Sequence, residues 1–223
     1  MSASNIPNIP AVQPAHSLLE QMHSPFFVQK VAVSRELIGK DRTATLISMC
    51  QGKRVLHIGC VDSPIFDPKS NLHLSLLRSG VCKELIGVDQ DEQGLRELAK
   101  HCDQPLHSDL AQVHGPIDIV LVPEVLEHVG NVAAFLEQID QIDFKNIVIT
   151  VPDAVQCHPR HFDFVDRDEM FVEVVHPDHN YWFTPYTLLN VIRKYTAWHV
   201  KGMFFFNNIS LLMVAWKRAP QEL

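Results

Sequence analysis

From about Lys53 onward the chain is built from short apolar runs, each ended by a glycine, a proline or an acid and each followed by a stretch of helical periodicity. Arg54 to Ile58, Glu84 to Val88, Ile117 to Val122 and Lys145 to Pro152 read as strands buried on both faces, the pattern of a parallel sheet. A shorter strand is predicted at Gln104 to His107. Helices are predicted at Asn71 to Arg78, Glu92 to His101 and Val132 to Ile139, with Asp91 and Asn131 placed to cap the last two. Trp182 to Leu189 opens a further helix, and Trp198 to Phe206 and Ser210 to Trp216 flank a turn at Asn207-Asn208 as an antiparallel pair. Strand and helix in alternation give an α/β fold with a doubly wound, mostly parallel sheet.

Ahead of this core, residues 1–15 are rich in Ser, Asn and Pro and lack apolar periodicity, so a disordered arm is expected. In residues 16–50 the apolar positions Leu18, Leu19, Met22, Phe26, Phe27, Val28, Val31, Val33, Leu37 and Ile38 predict two short cap helices. The core then occupies 51–223, with an insertion at 152–183. Phe204-Phe-Phe206 is either a buried edge strand or the face of a homodimer.

The 223 residues, 46% of them hydrophobic, suit one domain with a sizeable core. No apolar run approaches the roughly 20 residues that span a bilayer, and the amino-terminal residues show no basic-then-apolar leader, so a cytoplasmic protein without a membrane role is expected. Five scattered cysteines form no Cys-x-x-Cys pair, which excludes a disulfide framework and a cysteine zinc site. A net charge of -7 offers no basic face for phosphate backbones, so nucleic acid is not an expected partner.

Two positions carry candidate chemistry at the ends of the first two strands. Gly59 ends Arg54–Ile58 where the backbone must turn and let a ligand approach without a Cβ in the way. Asp89 ends the next strand, where a carboxylate can accept hydrogen bonds from both hydroxyls of a ribose. As a helix cap it would be satisfied as well.

With Pro123-Glu-Val-Leu-Glu-His-Val129 after the fourth strand, this order of segments resembles the class I S-adenosylmethionine-dependent methyltransferases, in particular the subgroup with a Glu-x-x-Glu-His segment at that place. The resemblance implies a seven-stranded Rossmann-like sheet with an antiparallel carboxy-terminal hairpin, and S-adenosylmethionine as cofactor. It places the cofactor against His57, Gly59, Cys60 and Asp62 around the first turn, Asp89 and Gln90 after the second strand, Asp109 and Leu110 at the adenine, and Glu124. His57 fits equally a satisfied buried histidine, and Asp109 a turn cap. Glu124, Glu127 and His128 fit equally a solvated surface turn. The chain departs from the family at the glycine loop, where Gly59-Cys-Val61 stands in place of Gly-x-Gly.

In the family, insertions after strand five build the acceptor pocket, which implies that role for Cys157 to Trp182, with its four histidines. Methyl transfer is an in-line displacement that needs alignment, and a hydroxyl acceptor also needs its proton removed. His176 or His179 could take it, with His128 as a third candidate; the alternative for His179 is a hydrogen bond to the helix starting at Thr184. His158, His161, His176, Asp178 and His179 could also be read as metal ligands, but with 13 histidines in the chain no metal is assigned. The reading is an enzyme that methylates oxygen, or nitrogen, on a small-molecule or glycan-type acceptor, the resemblance pointing to biosynthetic pathways. The alternatives are an inactive scaffold on the same fold and a nicotinamide-dependent oxidoreductase, the latter lacking Gly-x-Gly-x-x-Gly.

Overall fold

The computed structural model describes residues 29–62, 66–165 and 169–217. An eight-stranded sheet contains β1 (Ser34–Leu37), β2 (Arg54–Ile58), β3 (Glu84–Val88), β4 (Leu106–His107), β5 (Ile117–Pro123), β6 (Phe144–Pro152), β9 (His199–Phe206) and β10 (Ser210–Trp216); β7 (Phe162–Val165) and β8 (Met170–Glu173) form a separate hairpin. The sheet order is β1-β9-β10-β6-β5-β2-β3-β4, and only β10 runs against the rest. The doubly wound sheet and its antiparallel end are as the residue pattern predicts. Because β2 pairs with both β3 and β5, winding reverses between β2 and β5, and clefts open at that switch point beyond the carboxyl ends.

The helices are α1 (Arg42–Met49), α2 (Leu72–Ser79), α3 (Glu92–Leu98), α4 (Val132–Asp140), α5 (Ala154–His161) and α6 (Pro185–Tyr195). Asp91 and Asn131 cap α3 and α4 as expected, their side chains accepting from the amides of Gly94 and Ala134. One face of the sheet packs Leu56, Ile58, Val120 and Ile147 against Leu136 and Ile139 of α4 and Leu188 and Ile192 of α6. The other packs Val55, Leu121 and Val148 against Leu46 of α1 and Leu72 and Leu76 of α2. Burial on both faces accounts for the uniformly apolar strands.

Two expectations are corrected. The sheet has eight strands rather than seven, and the eighth, β1, lies in the segment expected to be helical. Val33, just before β1, is buried and Leu37 is half-buried, while Arg35 and Glu36 face outward across an irregularity in the pairing between Ser34 and Leu37. β1 pairs in parallel with β9, Ser34 beside Phe204 and Leu37 beside Phe206, so the Phe204-Phe-Phe206 strip is an inner strand with Phe206 in the core. Of the segment expected to form two cap helices, the described residues hold one helix, α1, and residues 16–28, like the 1–15 arm, lie outside the described residues. All five cysteines are free. No helix among the described residues is long and apolar enough to cross a membrane.

Candidate functional site

The carboxyl ends of β2, β3 and β5 bound a cleft with two lobes. One, of about 470 Å³, is lined by Ile58, Gly59, Asp89, Gln90, Asp109 and Leu110 together with Val129 and Phe135. The other, of about 490 Å³, is lined by Gly59, Asp62, Asp89, Gln90, Glu124 and His128 together with Pro177, Asp178 and Asn180. Both volumes are those of small-molecule sites. Gly59, Asp89, Gln90, Val125 and His128 belong to both lobes, so one ligand can cross from one to the other.

Gly59 stands at φ +76°, and a Cβ there would lie 2.5 Å from Cγ2 of Val125. Asp89 ties the next turn: one carboxylate oxygen accepts from the amide of Val61 at 3.0 Å and the other from that of Asp91 at 3.0 Å. Each oxygen keeps a second acceptor position, and the side chain reaches both lobes. Burial raises the Asp89 pKa, and the amides of Asp91 and Val61, with a further backbone contribution from Gln90, hold it down against that pressure.

The substitution of Val61 for the family's second glycine is accommodated by turning its side chain away from the cleft. Val61 is 1% exposed and packs with Leu74, Leu95 and Leu98 between α2 and α3. The space it uses is left by Gly94 in α3, where a Cβ would meet Val61 Cγ1 at 2.2 Å and Asp91 Oδ2 at 2.6 Å. The left-handed backbone passes to Asp62, at φ +64°. Asn71 secures the loop by donating to the carbonyls of Cys60 and Val61 while its Oδ1 caps α2. Gly94→Ala is therefore expected to lower stability by about 1–3 kcal/mol despite alanine's higher helix propensity. The companion change Val61→Gly should recover part of it; urea unfolding of the single and double variants is the check.

Some predicted cofactor residues meet in the cleft and others do not. Gly59, Asp62, Asp89, Gln90, Asp109, Leu110 and Glu124 line it. Asp109 also caps the 3-10 turn Leu110–Gln112 by accepting from the Ala111 amide, the turn-cap role given above as its alternative. Cys60 sends its buried side chain into the core beside α2 and α3. His57 points to the α1/α2 side, where its ring stacks on buried His73 with the Nδ1 atoms 3.3 Å apart. Burial, and next the neighbouring His73, push the His57 pKa well down.

Beneath the second lobe lies a buried polar group that the sequence reading missed in part. Glu127 is fully buried, and its carboxyl group lies against that of Glu124, which also neighbours Thr150 and Ser210. Burial, then the neighbouring Glu124, push the Glu127 pKa up to about 9, and burial raises that of Glu124 as well. Arg42, at the start of α1, has a buried Nε, and its charge draws the pKa of both carboxyls down against their burial. Its only sequence signal was a cation just after a helix cap, Asp41, far in the chain from the glutamates.

The insertion folds as α5, the β7-β8 hairpin and a return segment pinned across the Glu-x-x-Glu-His stretch. Asn180 donates its amide to the carbonyl of Glu127 at 2.7 Å and its Nδ2 to that of His128 at 2.9 Å, and the Tyr181 hydroxyl donates to Gly130 at 3.2 Å. This brings His176 and His179 onto His128, whose ring centroid lies 5.3 Å and 4.6 Å from theirs. His158 and His161 remain apart, beside Phe162 and Trp182. Burial lowers the pKa of His128 and, to about 4, that of His179. At neutral pH both rings are thus uncharged acceptors. Thr184 forms a capping box with Thr187 at the start of α6, so that helix does not call on His179.

No protein-family model and no curated protein matches the chain. Among solved structures, an S-adenosylmethionine-dependent methyltransferase from Mesorhizobium loti aligns with TM-score 0.53 at 14% identity over 77% of this chain and 96% of its own. The chain has the class I methyltransferase fold. The N-methyltransferase NodS of Bradyrhizobium japonicum, solved with S-adenosyl-L-homocysteine, shares this methyltransferase fold with TM-score 0.50 at 14% identity, over 80% of this chain and 86% of its own. A chain of the Pnkp1/Rnl/Hen1 RNA repair complex aligns with TM-score 0.53 at 16% identity over 78% of this chain, which spans 40% of that larger chain.

Proposed function

We propose that this chain transfers a methyl group from S-adenosylmethionine to an oxygen, with nitrogen as the next choice, of a small-molecule or glycan-type acceptor. The observation that supports it most is the two-lobed cleft at the switch point, shared through Asp89 and Gly59. The spare acceptor positions on Asp89 suit a ribose diol, Asp109 and Leu110 suit adenine, and the bare Gly59 leaves room for the sulfur-bearing chain. When bound, the cofactor would supply a methyl group on a sulfonium for transfer to the acceptor's lone pair, with the sulfur–carbon electron pair returning to sulfur. The residues of the second lobe hold the acceptor, and an imidazole from His128, His176 or His179 receives the hydroxyl proton. Asp62, Asp89, Asp91, Glu124 and Asp178 make that lobe acidic, which favours a neutral or cationic acceptor over a phosphate backbone.

A dinucleotide is disfavoured because residues 59–71 separate the glycine turn from α2, whose amino end is already capped by Asn71. Calorimetric titration with S-adenosylmethionine, S-adenosylhomocysteine and NAD tests the reading. Micromolar binding of a sulfur ligand with none of NAD is expected. No binding of either sulfur ligand would leave a scaffold on a methyltransferase fold, and a nucleic-acid oligomer in the subsequent acceptor screen would correct the acceptor class.

A further inference from the structure

We propose that His128, His176 and His179 form a binding site for one divalent transition-metal ion of the zinc type, at the mouth of the acceptor lobe. Each ring offers a nitrogen, and the three nitrogens lie within 4.8 Å of one another. A tetrahedral zinc at about 2.05 Å holds its ligands roughly 3.4 Å apart, so modest rotations of the three rings close the set. The surroundings leave nitrogens free for this. His176 Nδ1 accepts from the Asp178 amide at 3.3 Å, which leaves its Nε2. Asp178, whose amide reaches His176, also lies against His128. Nδ1 of His179 is buried with no partner among the described residues, a cost that a metal bond would remove.

The site is assembled from His128 and the far-off pair His176 and His179 by the Asn180 and Tyr181 contacts, and three protein ligands leave a fourth position open, the arrangement of catalytic rather than structural zinc. His128 and Asp178 face the acceptor lobe, so that open position can take an acceptor hydroxyl. Coordination would lower the hydroxyl's pKa and its proton would leave to solvent, relieving the imidazoles of acting as base. This last role rests on the methyltransferase reading; the metal site itself does not.

The test is calorimetric titration of chelator-stripped, full-length protein with zinc chloride, beside the visible spectrum of the cobalt(II)-loaded form. S-adenosylhomocysteine is titrated into the same samples. One ion per chain and an intense tetrahedral cobalt spectrum are expected. His128→Asn and His179→Asn should each lower zinc affinity by at least the roughly 10–100-fold that even the loss of an outer partner costs, while exposed His199→Ala does not. No stoichiometric zinc binding by the parent protein, or equal binding by both asparagine variants, would overturn the site. Should a variant unfold, the parent stoichiometry and cobalt spectrum still decide. Zinc without S-adenosylhomocysteine binding would support the site and sink the methyltransferase reading; the reverse would sink the site alone.

Discussion

Asp89→Ala is expected to weaken S-adenosylhomocysteine binding by a hundredfold or more. Hydrogen bonds to a charged acceptor contribute about 1.5–3 kcal/mol each, so two ribose hydroxyls on the carboxylate amount to at least about 3 kcal/mol, or two factors of ten. The same carboxylate holds the amides of Val61 and Asp91, so the alanine variant also frees the loop that shapes both lobes. Asp89→Asn keeps one acceptor oxygen but not the charge, and its loss should be intermediate. Calorimetry gives the affinities and urea unfolding shows how much of the change is stability. Unchanged affinity in the alanine variant would sink the ribose role.

The second large effect concerns pH. Glu127 titrates at about 9 in the fold, against about 4.3 for an unperturbed glutamate. Between those values the folded chain holds a proton that the unfolded chain has released. Stability contributed by the protonated form is therefore complete below the unfolded value and is lost as pH rises toward 9. The slope is set by one proton per chain, so a loss on the order of a few kcal/mol at most is expected between pH 7 and 9. The histidines whose pKa is lowered are already neutral over that interval. Glu127→Gln cannot ionise and should remove most of the decline, although Glu124, also raised, keeps some of it. Urea midpoints of both proteins at pH 7 and pH 9 are the measurement, and parallel declines would show that Glu127 is not the group responsible.

What could be read from the residues was set by short-range rules. A strand buried on both faces advertises itself by an unbroken apolar run, and Asp91 and Asn131 advertise helix starts by type and offset, so the sheet and most helices were legible. Asp89 was legible because an acid ending an apolar strand needs an open cleft or a partner. β1 was not, since Ser34-Arg-Glu-Leu37 is short and mostly polar, carries no strand alternation, and follows a segment whose apolar residues fit a helix face. The fit of Val61 to Gly94 joins a loop to the next strand's helix, and neither residue signals the other. Arg42 reaches the glutamates only once α1 lies on the sheet. The three histidines were visible singly, but their meeting depends on where the insertion returns, which Asn180 and Tyr181 decide.

Those two residues fasten the insertion to main-chain carbonyls of Glu127, His128 and Gly130, not to side chains. Carbonyls are present whatever residues occupy those positions. The stretch between β6 and α6 therefore behaves as an exchangeable cassette: a foreign loop ending in the same Asn-Tyr pair would latch in the same place. That stretch could then be exchanged without disturbing the sheet ends that bound the two-lobed cleft.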